Sequence, residues 1–413
     1  MFSGAVLAQL AAFLLAPVLS RLYTPEHFGI LGIFVSVGGT VGAVASLRYE
    51  QAIMLADSEA DAWTLQKLSL QLAALIAAFC GVGIAITFSI YPEFFEGLSF
   101  WLWILGSVAL VFGLGAQSSL QVYASRKKLF QRISVSMLTR TLTTTTVQCL
   151  LFFWQTTGLV LGSILGLFAS ILPFGALLRF TPSPDDNPSS TLSLLKEYSD
   201  FPKYNAMSAV FNSLAQNAPV LVLAGFAGPA SAGAYTMTVR LLQRPMSVIT
   251  GPLRQVFYQH ATATYREAPE NASRLFRKTT LALGATTLIP AIIIISFGPL
   301  IFKWVLGQEW TEAGQQSQWL ILWLSVAFAN VPAVVMTRIL RLEKAMLGYT
   351  IFLMVFRLAA IIAGVWLGGV LTGIAFYSIV GMVFNLLLIL WVDRKITTSV
   401  LSRIDSAGQE LTI

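Results

Sequence analysis

Twelve apolar runs, each long enough to cross a bilayer, fill almost all of the 413 residues. A hydrocarbon core about 30 Å thick takes roughly 20 apolar residues per helix. The windows are 3–20, 30–47, 66–90, 98–117, 133–154 and 157–178 in the first half. In the second half they are 204–225, 234–257, 279–302, 317–337, 346–367 and 369–392. Barrel strands would instead show alternating segments of about ten residues. These runs are apolar on all sides, and helices satisfy every backbone amide in lipid. The fold class is therefore all-α integral membrane, with 12 transmembrane helices. A content of 56% hydrophobic and 11% charged residues fits no ordinary soluble domain. The windows leave no room for an extramembrane catalytic domain.

Four arginines lie inside these windows: Arg140, Arg240, Arg244 and Arg357. A guanidinium near the bilayer centre costs at least about 2.5–3.5 kcal/mol on insertion scales. No intramembrane carboxylate stands ready to neutralise them, so a polar cavity that receives an anion is the simplest compensation. Arg240 and Arg244 are one helical turn apart and share a face. Pro245 follows, removing a backbone hydrogen bond and predicting a kink at mid-depth. Arg357 lies mid-window in YTIFLMVFRLAAII, where snorkelling to either surface is hard. Arg140 is nearer one end of its window, in TRTLTTTTVQ. The threonines at 139, 141 and 143–146, with Gln148, predict a face lined by water. The blander role for all four is capping carbonyls, pairing with Asn or Gln, or snorkelling. A planar fork that makes two parallel charge-assisted bonds suits a diphosphate better than a bare sugar or a cationic drug.

Orientation follows from the loop charges. Arg48 and Lys67 fall in the second loop, and Arg126, Lys127, Lys128 and Arg132 in the fourth. The sixth holds Arg179, Lys196 and Lys203; the eighth holds Arg266, Arg274, Arg277 and Lys278. Arg338, Arg341 and Lys344 fill the tenth, and Arg394, Lys395 and Arg403 follow the last window. Odd-numbered loops hold only Arg21 and Lys303. Even loops and both termini are expected to be cytoplasmic, and the net charge of +7 is no sign of nucleic-acid binding.

Weak internal echoes point to duplicated halves. Ala16-Pro17-Val18-Leu19 recurs as Ala218-Pro219-Val220-Leu221. Pro25 and Gly29, four apart, recur as Pro229 and Gly233, and Leu47-Arg48 matches Leu253-Arg254. The expected organisation is a six-helix bundle over 1–180, a cytoplasmic linker over 181–203, a second six-helix bundle over 204–392 and a cytoplasmic tail over 393–413. Two such pseudo-symmetric bundles would enclose a central cationic cavity.

Several absences narrow the function. No phosphate-loop motif exists, so the chain is not itself an ATP-driven pump. Cys80 and Cys149 lie within apolar runs and form neither a disulfide framework nor a zinc site. His27 and His260 stand alone without metal-ligand spacing, and no cofactor is implied. Glu50 and Asp200 flank windows, while Glu93, Glu96, Glu309 and Glu312 read as solvated loop charges, so no coupling ion can be assigned. Gly38, Gly39 and Gly42 mark close helix packing. Residues 3–20 lack a basic lead and are expected to be a retained helix rather than a cleaved signal peptide.

Specific segments carry a resemblance: SRLYTPEHFGILGIF at 20–34, SLRYEQAIML at 46–55 and YSDFPKYN at 198–205. AGPASAGAYTMTVRLLQRPMSVITGPLRQVFYQ at 227–259 and GQEWTEAG at 307–314 continue it. In this order they resemble the Wzx-type flippases of polysaccharide and lipopolysaccharide biosynthesis, within the multidrug/oligosaccharidyl-lipid/polysaccharide exporter superfamily. The resemblance implies a bacterial inner-membrane protein that moves undecaprenyl-diphosphate-linked oligosaccharide to the periplasmic leaflet by alternating access. It implies diphosphate contacts for Arg140, Arg240, Arg244 and Arg357, and membrane lipids, a polysaccharide polymerase and glycosyltransferases as partners. It departs at the N-terminus, where relatives carry a longer lead before the first helix. The alternatives are a multidrug-type cation-coupled antiporter, an integral-membrane polymerase or glycosyltransferase, and a non-transporting scaffold.

Overall fold

The computed structural model describes residues 2–178, 190–340 and 342–410. Arg179 and Arg341, which entered the loop-charge reading, and the expected boundary at 180–181 lie outside them. Every window becomes helix. In chain order the main helices are α1 (Phe2–Leu14), α2 (Ala16–Leu22), α3 (Pro25–Gly42), α4 (Glu59–Ile90), α5 (Phe100–Arg126), α6 (Phe130–Leu150) and α7 (Gln155–Ala169). There follow α8 (Ala206–Glu267), α9 (Pro269–Leu306), α10 (Thr311–Ala329), α11 (Val331–Ile339) and α12 (Glu343–Glu410).

Two of these are double spans. A helix of 62 residues, such as α8, would run roughly 90 Å if straight, three times the hydrocarbon thickness. It is divided at Gly228, whose φ of 84° and ψ of 169° are open only to glycine. The 68-residue α12 is divided in the same way at Gly368 and Gly369. Among the described residues seven stretches are long and apolar enough to cross a membrane, and these two are among them. The windows of α1–α2, α3 and α6 are shorter or more polar, which completes the twelve spans of a multi-pass membrane protein.

Local sequence explains the ends. Pro17 in the first turn of α2 separates it from α1, and Pro332 in the first turn of α11 separates it from α10. Ser58 and Ser99 accept from the backbone N–H of Asp61 at 3.0 Å and of Leu102 at 3.3 Å, capping α4 and α5. His27 is a capping residue as well. Thr24 Oγ1 accepts from its backbone N–H, and its Nδ1 accepts from the Thr24 N–H. Pro245 does not break α8, whose dihedrals stay helical through that position; the break falls at Gly228.

By compactness the chain divides into Met1–Thr236 and Met237–Ile413. In the first unit, Trp63, Tyr123, Phe174 and Ile53 form a core that also buries Leu194. Leu194 belongs to a short helix, Thr191–Glu197, within the expected linker, and Tyr49 Oη donates to the Leu195 carbonyl at 3.2 Å. That part of the linker is thus docked on the first unit. A Cβ on Gly38 or Gly42 would lie 2.5 or 2.6 Å from Leu110 or Leu114 of α5, so these glycines do set a close packing. Arg126 fixes the α4–α5 end by donating to the Ile53 carbonyl at 2.9 Å and to Glu59 at 3.2 Å. In the second unit, Phe257, Phe276, Met336, Leu388 and Ile396 share a core. The expected tail beyond 393 continues α12.

Outward faces are apolar: Leu75, Phe79, Val82 and Ile86 on α4, and Leu281, Leu288, Ile292 and Trp304 on α9, are exposed. Such surface suits hydrocarbon, not water. Exposed Trp101, Trp154, Trp304 and Trp366 all stand at or beside the odd-numbered loops, opposite the basic ones. They have the placement of an interfacial aromatic belt.

Candidate functional site

The second unit holds three of the four window arginines. Arg357 is buried, with 9% of its surface exposed, on the first arm of α12. Its guanidinium carbon lies 3.7 Å from the ring centroid of Trp323 on α10 and 3.6 Å from that of Tyr377 on the second arm of α12. The two rings stand at 77° to each other with centroids 5.8 Å apart, so they hold the cation from two adjacent sides and not as a sandwich. A cation–π contact is worth about 2 kcal/mol once desolvated, so the pair of rings offsets much of the burial cost. The approach is tight, since a Cβ on Gly381 would come within 3.1 Å of the Arg357 guanidinium carbon and 2.8 Å of Trp323. One turn on, Asn385 donates to the Gly381 carbonyl and accepts from Asn330, both at 2.6 Å.

Arg240 and Arg244 stand one turn apart on α8, both half-buried. Neither is in an ion pair among the described residues. The Nε–H of Arg240 is buried and has no hydrogen-bond partner. An unsatisfied buried donor on a charged group costs several kcal/mol. Two like charges on one face, one with an idle donor, form a site that gains most from an incoming anion.

Arg140 belongs to the first unit. Its Nη1 donates to Gln117 Oε1 of α5 at 2.6 Å, so the pairing with glutamine open to it on sequence is the one it makes. The polar run around it only partly matches a water-lined face. Thr145 and Gln148 are buried. The Gln148 side chain donates to the Leu159 carbonyl and to Ser163 of α7, and its backbone carbonyl accepts from Tyr23 Oη at 2.6 Å. These side chains join helices, because a buried amide in an apolar bundle must find partners.

Three functional candidates escaped the sequence. Trp323 and Tyr377 are aromatic residues in aromatic-rich windows, and nothing in one sequence tells which helix faces Arg357. Glu50, which reads as a window-flanking residue, is buried at 2% exposure. It accepts from Ser46 Oγ at 2.5 Å and pairs with Arg48 at 3.4 Å. Leu47 and Arg48 hold left-handed φ values of 51° and 65° just before it. Non-glycine residues in that region mark a constrained turn.

A family model described as polysaccharide biosynthesis protein matches residues 18–315. Among solved structures, an inward-facing multidrug resistance MATE family transporter of the MOP superfamily aligns with a TM-score of 0.71 at 15% identity. The alignment covers 96% of this chain and 95% of that one. An outward-facing structure with the same description aligns at 0.54 and 14% identity, covering 95% and 94%. A MATE in a bent conformation aligns at 0.52 and 16%, covering 96% and 92%. No curated protein matches the sequence.

Proposed function

This chain belongs to the polysaccharide biosynthesis protein family, and on that premise we propose that it flips undecaprenyl-diphosphate-linked oligosaccharide across the bacterial inner membrane. The chain is, in this reading, a transporter and not an enzyme, which the family match and the shared fold support. In this reading its even loops and both termini are cytoplasmic, and its halves, 1–180 and 204–392, alternate the access of a cationic cavity. It acts alongside the glycosyltransferases and polymerase that build surface polysaccharide.

The observation that carries the reading is the idle, buried Nε–H of Arg240 beside Arg244, with no carboxylate paired to either among the described residues. Diphosphate supplies acceptors and negative charge together, and its binding relieves both the orphaned donor and the like-charge repulsion. Arg357, held by two aromatic rings, adds a third cation to the same chemistry. Arg140, already bonded to Gln117, has a weaker claim as a fourth contact.

Binding tests it. Purified protein should bind undecaprenyl diphosphate more tightly than undecaprenyl monophosphate, and Arg240→Ala or Arg244→Ala should remove most of that preference. Equal affinity for the two lipids would refute the assignment.

A cation-coupled multidrug antiporter is the second reading, favoured by the TM-score of 0.71 to a multidrug transporter. Such a cargo needs a carboxylate facing it. The buried Glu50 is already held by Ser46 and Arg48. Tighter binding of an organic cation than of the diphosphate would favour this reading.

A further inference from the structure

A half-open cleft of about 440 Å³ lies in the second unit, at the end of the helices that bears the basic loops. Tyr258, Thr262, Tyr265 and Arg266 form one wall, on a single face of the last turns of α8. Arg338, Ile339 and Leu340 form the other, at the end of α11. Both walls follow directly on apolar windows, 234–257 and 317–337, so the cleft is at headgroup level, not in the hydrocarbon. It is separate from the window arginines: 22 residues of helix, roughly 33 Å, separate Arg244 from Arg266 on α8.

The chemistry of the lining is specific. Arg266 and Arg338 are exposed, and neither is in an ion pair among the described residues. Among the described residues no carboxylate lines the cleft. The Thr262 hydroxyl is buried there without a hydrogen-bond partner. Tyr265 is fixed by its hydroxyl contact to Ser399 at 3.2 Å and by packing in the core of the second unit. Ile339 and Leu340 add an apolar edge beside the two cations.

We propose that this cleft binds the phosphate headgroup of an anionic membrane lipid. Two guanidinium forks and the idle Thr262 hydroxyl meet the phosphate oxygens. The tyrosine rings and Ile339–Leu340 lie against the glycerol and the first methylenes of the chains. The volume fits a headgroup and excludes a whole lipid. Basic pockets between helix ends are where acidic lipids are held in other membrane proteins. This site is independent of the cargo: it stands or falls whatever the chain transports.

The test is native mass spectrometry of the full chain in detergent, titrated with phosphatidylglycerol, cardiolipin, phosphatidylcholine and inorganic phosphate. Retention of phosphatidylglycerol or cardiolipin should exceed that of phosphatidylcholine at least tenfold. The double variant Arg266→Gln/Arg338→Gln should lose that excess, whereas Arg274→Gln, outside the cleft, should keep it. Thr262→Val guards against a folding artefact, because its hydroxyl has no partner in the protein; it should lower retention severalfold at unchanged melting temperature. Equal retention by wild type and double variant overturns the proposal. So does displacement of bound lipid by inorganic phosphate alone, which would make the cleft a free-phosphate site.

Discussion

Gly29 and Pro229 meet so closely that a Cβ built on Gly29 would lie 1.7 Å from the Pro229 carbonyl oxygen, and Gly233 stands in the same relation to Pro25. The contact is reciprocal. Residues 25 and 29 meet 233 and 229, which is the pattern of a two-fold related pair. The Pro and Gly echo in the sequence thus has a physical cause: two equivalent turns pack backbone against backbone, and only glycine permits it.

Replacing either glycine by alanine should be costly. No side chain can move aside, because the obstacle is backbone, so Gly29→Ala and Gly233→Ala should each destabilise by about 1–3 kcal/mol or more. Gly251→Ala, whose Cβ would meet nothing within 4 Å, should be neutral or slightly stabilising. Thermal melting in detergent distinguishes them.

The Trp323–Arg357–Tyr377 stack makes a second prediction. Trp323→Ala removes one of the two rings that hold the cation and leaves a cavity, at a cost of about 3–5 kcal/mol. Trp323→Phe keeps a ring and should lose much less. Arg357→Lys keeps the charge but not the plane, and should fail to restore transport. Melting and transport measured side by side would show both effects.

Arg240 should separate stability from activity. Its buried, idle Nε–H and its proximity to Arg244 make it a strained group. Arg240→Met should leave the melting temperature unchanged or raise it, while transport falls at least tenfold. A variant that melts early would show that the guanidinium has a structural partner instead.

Arg126 should behave in the opposite way. It satisfies the Ile53 carbonyl and pairs with Glu59 at the end of α4 and α5. Arg126→Ala should cost about 1–3 kcal/mol by leaving those acceptors unmet. Charge alone does not replace its fork, so Arg126→Lys should recover only part. A denaturation series of the two variants checks this.

Much of the architecture was legible because apolar length is a one-dimensional signal. The twelve windows, the link between those ending at 225 and starting at 234, and the packing role of Gly38 and Gly42 all come from composition along the chain. Partner choice is not one-dimensional. That Arg357 would lie between Trp323 and Tyr377, or that Gln148 would join α6 to α7 and not face water, depends on which helices are neighbours. Glu50 shows the same limit: a window-flanking carboxylate reads as exposed until the turn at Leu47 and Arg48 folds it inward.

The central claim is that the arginines of the second unit serve the transport of a diphosphate-linked cargo. Its most direct test is the sidedness of undecaprenyl-diphosphate-linked oligosaccharide in cells lacking this protein. The account predicts accumulation on the cytoplasmic face, reversed by the wild-type chain but not by Arg244→Ala or Arg357→Ala expressed at equal level. Unchanged sidedness in cells with no second flippase, or full rescue by both variants, would contradict it.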